Sequence, residues 1–140
     1  MPTRTSEATW EGALVDGSGT VALGSGSYEG PYSFASRFQD GEGTNPEELI
    51  GAAEAGCYAM ALSNMLDEAG YTPERVHAEA AVHLDADALE VTAIELTVEG
   101  RVPDADEEAF HEHAAEARDG CPISKALSDP DIELDAQLMD

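Results

Sequence analysis

Two cysteines are the residues of this chain best suited to covalent chemistry. Cys57 lies among small residues in the middle of an apolar segment, where a thiol can pack in a core as readily as it can react. Cys121 directly precedes Pro122, so it would stand at the N-cap of a short helix, where backbone N–H groups and the helix dipole favour a thiolate. The two thiols could serve as an attacking and a resolving pair, although spacing alone leaves a packing or capping role open for each.

Arg37 is a candidate partner for a thiolate. The chain has 6 basic residues against 30 acidic ones, and Arg37 falls in the mainly apolar segment 32–38. An arginine beside a thiol lowers the thiol pKa and can hold a peroxide oxygen, whereas an exposed arginine would simply pair with a surface carboxylate. A buried Arg37 would need an anionic partner, for which Glu47 is available. On a straight helix Glu47 and Cys57 would lie about 15 Å apart, so a common site requires a bend or a bridging Arg37.

No motif for a metal ion or a phosphate is visible. Two pairs of histidines share a predicted strand or helix, but neither has the i,i+4 spacing of a zinc-binding helix. They are His77 and His83, and His111 and His113. A glycine-rich phosphate loop and a G-x-S-x-G elbow are also missing from the sequence. Because thiol chemistry needs no metal, flavin or haem, we predict no cofactor.

The N-terminal third is predicted to form strands. Apolar residues alternate over 8–14 and again over 21–23, with turn-forming residues at 16–19 between them. Residues 28–38 are predicted as a third strand, interrupted at Gly30 and Pro31. An antiparallel meander is the simplest arrangement, and it would place Arg37 on its last strand.

A long helix is predicted to follow these strands. Thr44 or Asn45 can cap its start, and Gly70 ends it. Small or apolar residues occupy nearly every face, which indicates a buried central helix with Met60 and Met65 in the core.

The C-terminal half is predicted to contain a hairpin, two helices and a closing strand. In chain order these elements cover residues 76–84, 89–98, 104–120, 122–126 and 132–138. The apolar stripe of the longer helix is Phe110, Ala114 and Ala117. Strands and helices in this order predict an α+β fold class.

The acidity of the chain excludes several partners. The net charge of −24 is spread along the whole sequence, which indicates a surface adapted to high salt and therefore a halophilic microbe. Such a charge repels nucleic acid and anionic membrane surfaces, so neither is predicted as a partner.

The size and hydropathy of the chain set further limits. Its 140 residues predict a single domain, residues 1–140. With aromatics at only 6%, the core would be small, and a homo-oligomeric interface would add buried surface. No segment approaches the roughly 18 apolar residues of a membrane span, and no apolar signal core is present, so we expect a cytoplasmic protein.

Three segments of the chain resemble one known family. Residues 31–38 (PYSFASRF), 43–62 (GTNPEELIGAAEAGCYAMAL) and 121–127 (CPISKAL) are similar to the signature segments of the OsmC/Ohr family, the osmotically inducible protein C-like peroxidases. The wording of the first two segments is closer to the OsmC branch than to the organic hydroperoxide resistance branch. The resemblance extends over nearly the whole chain.

The resemblance implies a fold and a set of site residues. The fold would be an intertwined homodimer of α+β subunits, with antiparallel sheets around a long buried central helix and active sites at the subunit interface. Cys57 matches the peroxidatic cysteine and Cys121 the resolving one. Arg37 matches the arginine that activates the thiolate, and Glu47, or the adjacent Glu48, matches the carboxylate that orients it.

The resemblance also implies an activity. The protein would reduce organic hydroperoxides, and hydrogen peroxide less well, to alcohols or water in oxidative and osmotic stress defence. The Cys57 sulfenic acid would condense with Cys121, and a lipoyl-type or other dithiol would reduce the disulfide. Glu54 departs from the family pattern, which commonly has histidine there, and a carboxylate facing Cys57 would raise the pKa of that thiol.

Two other functions remain open from the residues alone. One is a non-enzymatic redox sensor, in which the Cys57–Cys121 disulfide changes how the protein meets a partner. The other is a dimer that binds an apolar ligand and uses its cysteines only for packing.

Overall fold

The computed structural model describes residues 2–127 and has an α+β architecture. The predicted closing strand over 132–138 lies outside the described residues. The elements, in chain order, are strands β1 (Ser6–Glu11), β2 (Ser18–Leu23) and β3 (Glu29–Tyr32), helices α1 (Phe34–Phe38) and α2 (Pro46–Glu68), strands β4 (Arg75–Asp85) and β5 (Glu90–Arg101), and helices α3 (Glu107–Gly120) and α4 (Pro122–Ala126).

The described residues fall into two compact units. The first contains the residues up to Ala52 together with Ala80–Glu95, and the second contains Ala53–Glu79 together with the residues from Leu96 onward. Each unit is built from two separate segments of the chain. The prediction of one domain over residues 1–140 stays a prediction.

The first unit contains a three-stranded antiparallel sheet with the order β1-β2-β3. Gly19 of β2 pairs with Trp10 on one side and with Tyr32 on the other. The two aromatic rings pack over this glycine with their centroids 5.3 Å apart. A Cβ at Gly19 would lie 2.6 Å from a Trp10 ring carbon, so only glycine lets the rings close over the strand. This contact confirms the predicted meander for its first two strands.

The prediction for residues 28–38 is wrong in two respects. Gly30 and Pro31 do not interrupt the third strand: they lie inside β3, an edge strand of its sheet, where a proline is tolerated. The chain then turns into helix α1, so Arg37 lies on a helix and not on a strand. The cause is a capping box, because Ser33 Oγ accepts from Ser36 N at 3.0 Å and Ser36 Oγ accepts from Ser33 N at 2.8 Å.

Helix α2 begins as predicted, at a capping asparagine. Asn45 Oδ1 accepts the backbone N–H of Glu48 at 2.7 Å, which satisfies an N–H group in the first turn. The chain leaves the helix through Gly70, whose φ of 96° is the left-handed conformation typical of a helix end.

The predicted burial of α2 on nearly every face differs from the structure. Its buried residues are Glu47, Gly51, Glu54, Tyr58, Leu62 and Leu66, which recur every three or four positions. In the single chain this helix therefore buries one stripe. Met60 is 76% exposed, so the prediction that it lies in the core is wrong for the single chain. Met65 is partly buried and packs against the core, as predicted.

The core of the second unit surrounds the C-terminal part of α2. Its fully buried members are Tyr58, Leu62, Leu66 and Ala117. Phe110 and Ala114 of α3 pack against this cluster, which confirms the predicted apolar stripe. The Tyr58 hydroxyl donates to the Ala114 carbonyl at 2.9 Å. These contacts hold α3 against α2, and the end of α3 is where Cys121 stands.

The remaining predicted elements are close to the observed ones. Strand β4 alternates between partly buried and exposed residues along its whole length, as the sequence pattern predicts. Helix α3 begins slightly later than predicted, because Asp106 caps it by accepting the Ala109 N–H at 2.8 Å. Among the described residues, no helix is both long and apolar enough to cross a bilayer.

Candidate active site

An arginine–glutamate pair forms one part of the candidate site, in the first unit. Arg37 donates from Nε to Glu47 Oε1 and from Nη2 to Glu47 Oε2, both at 2.9 Å. This two-point geometry is the strongest that an arginine and a carboxylate can adopt. The guanidinium also lies 5.3 Å from the centre of the Phe38 ring, which restricts it further.

The ends of two helices position the Arg37–Glu47 pair. Arg37 lies in the last turn of α1, and Glu47 lies in the first turn of α2, where the helix dipole stabilises a negative charge. Glu47 is 8% exposed, whereas the side chain of Arg37 is 36% exposed. The adjacent Glu48 is exposed, and its backbone N–H donates to Asn45 Oδ1. The carboxylate that orients Arg37 is therefore Glu47 and not Glu48.

Arg37 and Glu47 also line a groove of about 300 Å³ in the first unit. Asn45, Glu48 and the β4 residues Ala80, Val82 and Leu84 complete its lining. A groove lined by a charged donor and some apolar side chains could bind a molecule that has a polar head and an alkyl tail.

The two cysteines lie together in the second unit, both as free thiols. Cys57 is at the middle of α2 and is half-buried, while Cys121 is fully buried. Cys121 stands at the end of α3 and at the N-cap of α4, the helix-start position that the sequence predicts for it. The sulfurs are close enough for a thiol-to-thiolate hydrogen bond.

The environment separates the pKa values of the two thiols. Burial raises the pKa of Cys57, and so does the interaction in which its thiol donates to Cys121. Burial also acts to raise the pKa of Cys121, but that effect is outweighed by Cys57, by the backbone N–H groups of Ser124 and Ile123, and by the Ser124 hydroxyl. The pKa of Cys121 is therefore lowered, and the two thiols titrate as a coupled pair.

Glu54 adds a buried charge beside the thiols. It is 3% exposed and lies one helical turn before Cys57 on α2, and its charge raises the pKa of the Cys57 thiol. Its Oε1 accepts the Ser124 hydroxyl at 2.7 Å. Its Oε2 is also buried, and no protein group described in the structure hydrogen-bonds to it. The expectation that a carboxylate here would raise the pKa of Cys57 is thus confirmed.

Ser124 is the residue that the sequence interpretation missed. It is the third residue of α4, and its hydroxyl and backbone N–H act on the thiol of the N-cap residue Cys121. A hydroxyl three residues after a helix N-cap is a recognisable local signal, because this residue faces the cap. Its second partner, Glu54, is 70 positions away in the chain, and no local pattern reveals that contact.

The four histidines take no part in this arrangement of thiols. His83 pairs with Glu95 at 3.3 Å and His113 approaches Glu116 at 3.6 Å, each within its own unit. Over residues 2–127, no group of three or more His, Cys, Asp or Glu side chains is arranged to hold a metal ion.

The α+β chain thus holds two free cysteines whose thiols interact in one unit. The comparisons with known proteins identify the family. Residues 39–135 match the family model described as OsmC-like protein, and the chain belongs to this family. Over 135 residues, covering 94% of each chain, it is 47% identical to proteins named peroxiredoxin OsmC from Escherichia coli and from Shigella flexneri.

Solved structures show the same fold. The organic hydroperoxide resistance protein OhrB of Bacillus subtilis is 24% identical, with a TM-score of 0.61 over 89% of this chain and 90% of that one. An OsmC-like protein from Mycoplasma pneumoniae is 16% identical, with a TM-score of 0.67 over 90% of this chain and 87% of that one. The family and the α+β fold class expected from the sequence are confirmed.

Proposed function

We propose that this chain is a cysteine-based peroxidase that reduces organic hydroperoxides to alcohols, and hydrogen peroxide less well. The observation that carries the proposal is the Cys57–Cys121 pair, because two adjacent thiols of unequal acidity can form and release a disulfide. The relatives named peroxiredoxin, at 47% identity over 94% of the chain, support it. The chemistry belongs to the two sulfurs and requires no cofactor.

The difference in exposure supports the proposed roles of the two sulfurs. Cys57 is half-buried, while Cys121 is fully buried, so a peroxide reaches Cys57 more easily. The Cys57 thiolate attacks the terminal peroxide oxygen, and the O–O bond breaks. The sulfur becomes a sulfenic acid, and the alkoxide leaves and takes up a proton to become an alcohol. Cys121 then attacks the Cys57 sulfur, and the products are a disulfide and water.

The interaction between the two thiols gives the first step a defined proton acceptor. A Cys121 thiolate can take up the proton of the Cys57 thiol beside it. Transfer of that proton to Cys121 leaves Cys57 as the thiolate and Cys121 as the neutral thiol. The two sulfurs therefore titrate as a coupled pair, and the attacking state is one of its two singly protonated forms.

Arg37 and Glu47 complete the proposed set of site residues. In the proposed reaction Arg37 favours the Cys57 thiolate and holds a peroxide oxygen, and Glu47 fixes the orientation of the guanidinium. The paired bonds to Glu47 use Nε and Nη2, which leaves Nη1 for a substrate oxygen. The apolar side chains of β4 that line the same groove could contact an alkyl substituent on the peroxide.

The active unit is proposed to be an intertwined homodimer with its sites at the subunit interface. The exposed face of α2 supports this, because Met60 is 76% exposed on a helix of small and apolar residues. A groove of about 530 Å³ beside Met60, lined also by Ala59 and Val76, could receive part of a second subunit. Met60→Asp should then shift the protein towards monomer in light scattering, and an unchanged mass would contradict this interface.

The physiological setting is proposed from charge and thiol chemistry. A reducing cytoplasm would keep both cysteines as thiols, and a lipoyl-type or other small dithiol would recycle the disulfide. The net charge of −24 favours a halophilic host, so activity should be assayed in molar potassium chloride.

The direct test is peroxide consumption by Cys57→Ser protein with cumene hydroperoxide and a dithiol. We expect turnover to fall at least about 100-fold, because the covalent step loses its nucleophile. Undiminished consumption would reject the assignment. The matched variant Cys121→Ser should still react once, but its Cys57 should progress to the sulfinic acid, which mass spectrometry detects.

The same assay separates the two other functions. A redox sensor would be oxidised stoichiometrically and would show no turnover with excess dithiol. A binding protein whose cysteines only pack would show no Cys57–Cys121 disulfide after mild peroxide treatment.

A further inference from the structure

We propose that Glu54 and Ser124 form a proton relay that removes the proton of Cys121 and returns it to the hydroxide released from Cys57 during disulfide formation. The inference rests on the proposed peroxidase function and adds two residues to it. It starts from contacts in the second unit that neither the attack on peroxide nor the packing of the core requires.

The state of the Glu54 carboxyl group is the first observation. At 3% exposure it is among the most buried polar groups of residues 2–127, and within these residues only one of its two oxygens has a hydrogen-bond partner. A buried oxygen without a partner is costly, so a carboxylate is a poor choice for a purely structural contact to one hydroxyl. A group that gains and loses a proton uses both oxygens in turn.

The second observation is that the Ser124 hydroxyl has one hydrogen and two acceptors. It donates to Glu54 Oε1 at 2.7 Å, and it also lies where it can donate to the Cys121 sulfur. It can donate to only one of them at a time. When Glu54 is ionised the hydroxyl points to Glu54 and can accept from the Cys121 thiol. When Cys121 is a thiolate the hydroxyl points to the sulfur and can accept from protonated Glu54.

These two arrangements are the two ends of a relay. A shift of two hydrogens converts Cys121 thiol, Ser124 hydroxyl and Glu54 carboxylate into Cys121 thiolate, Ser124 hydroxyl and Glu54 carboxylic acid. Ser124 is unchanged by the transfer, and the net effect is one proton moved from sulfur to carboxylate. Within this cluster the two thiols act on each other, and the charge of Glu54 acts on Cys57.

The relay fits the needs of disulfide formation. The Cys121 thiolate attacks the Cys57 sulfenic sulfur, an S–S bond forms, and the S–O bond breaks with its electron pair on oxygen. The departing hydroxide takes the proton from Glu54, which lies one turn before Cys57 on α2. Sulfenic acid and thiol thus become disulfide and water, with no other oxidant or proton source.

The test is a single turnover of the full-length protein in molar potassium chloride. Reduced protein is mixed with stoichiometric cumene hydroperoxide, and the sulfenic acid and the disulfide are quantified over time by dimedone trapping, alkylation and mass spectrometry. In Glu54→Gln and Ser124→Ala we expect sulfenic acid to form within about threefold of the wild-type rate. Disulfide formation should slow about 10- to 100-fold, the lower part of the range for acid–base catalysis.

Three readouts distinguish a relay from a structural role. Ser124→Thr keeps the hydroxyl and should restore disulfide formation to within about threefold of wild type. Glu54→Gln should remove one ionisation from the pH profile of disulfide formation. The double variant Glu54→Gln/Ser124→Ala should be no slower than either single variant, because both changes interrupt one path.

The outcomes separate this inference from the function on which it rests. If the wild-type protein forms no Cys57 sulfenic acid, the peroxidase is rejected, and the relay with it. If the wild-type protein turns over but both single variants form the disulfide at its rate, only the relay is rejected. Additive slowing in the double variant, or equal slowing of sulfenic acid formation, would also overturn the relay.

Discussion

Helix α2 buries two glutamates, and the structure satisfies their carboxyl groups in opposite ways. Glu47 receives two hydrogen bonds from the Arg37 guanidinium, so its charge is neutralised and both oxygens are used. Glu54 receives one hydrogen bond from the Ser124 hydroxyl, and its second oxygen is buried with no partner among residues 2–127. A carboxylate held at both oxygens fixes the orientation of its partner, whereas one held at a single oxygen is less restrained.

The largest expected effect is the loss of stability on breaking the Arg37–Glu47 pair. Arg37→Met would leave the Glu47 carboxylate buried without its cation, and we expect a loss of about 2 kcal/mol, below the range for fully buried pairs because Arg37 is partly exposed. The measurement is urea unfolding in molar salt. Arg37→Lys, which keeps the charge but loses the two-point geometry, should fall between Arg37→Met and wild type.

Two controls test whether this loss comes from the buried charge. Arg118 pairs with Asp119 on the surface, where both side chains are more than half exposed, so Arg118→Met should be indistinguishable from wild type. The double variant Arg37→Met/Glu47→Met should recover most of the lost stability, because no unpaired charge remains. An equal loss in the single and the double variant would show that packing, and not charge, holds the two helices.

A smaller change in stability is expected at Glu54. Glu54→Gln keeps an acceptor for the Ser124 hydroxyl and removes a buried charge, so the free energy of unfolding should stay within about 1 kcal/mol of wild type. The measurement is again urea unfolding in molar salt. A loss of stability as large as that of Arg37→Met would contradict the difference between the two glutamates. Glu54 would then be a structural partner like Glu47.

The sequence predicted those parts of the fold that local rules govern. Helix α2 starts at a capping asparagine, and Cys121 stands at the start of α4, because caps and proline positions act over a few residues. The predicted strand over residues 28–38 is too long, because the capping box of Ser33 and Ser36 starts helix α1 within that segment.

The parts of the site that could not be predicted depend on contacts distant in the chain. The contact between Glu54 and Ser124 spans 70 positions, and neither residue has a local pattern that names the other. The prediction that α2 is buried on nearly every face is wrong for a different reason. Met60 belongs to an apolar helix face that is exposed in the single chain. Hydropathy does not distinguish residues buried in a core from residues that a second chain would cover.

The smallest expected effect concerns the Cys57 thiol and tests the charge of Glu54 directly. The negative carboxylate raises the pKa of Cys57, so Glu54→Gln should lower that pKa and increase the thiolate fraction at any pH below it. Since the charge of Glu54 is the weakest of the effects on Cys57, alkylation by iodoacetamide at pH 8 should rise only about twofold. Glu68→Gln, an exposed carboxylate of the same unit, should leave the rate unchanged. Slower alkylation in Glu54→Gln would mean that the carboxylate assists ionisation of Cys57, and Glu54 would then serve the attack on peroxide as well as the closing of the disulfide.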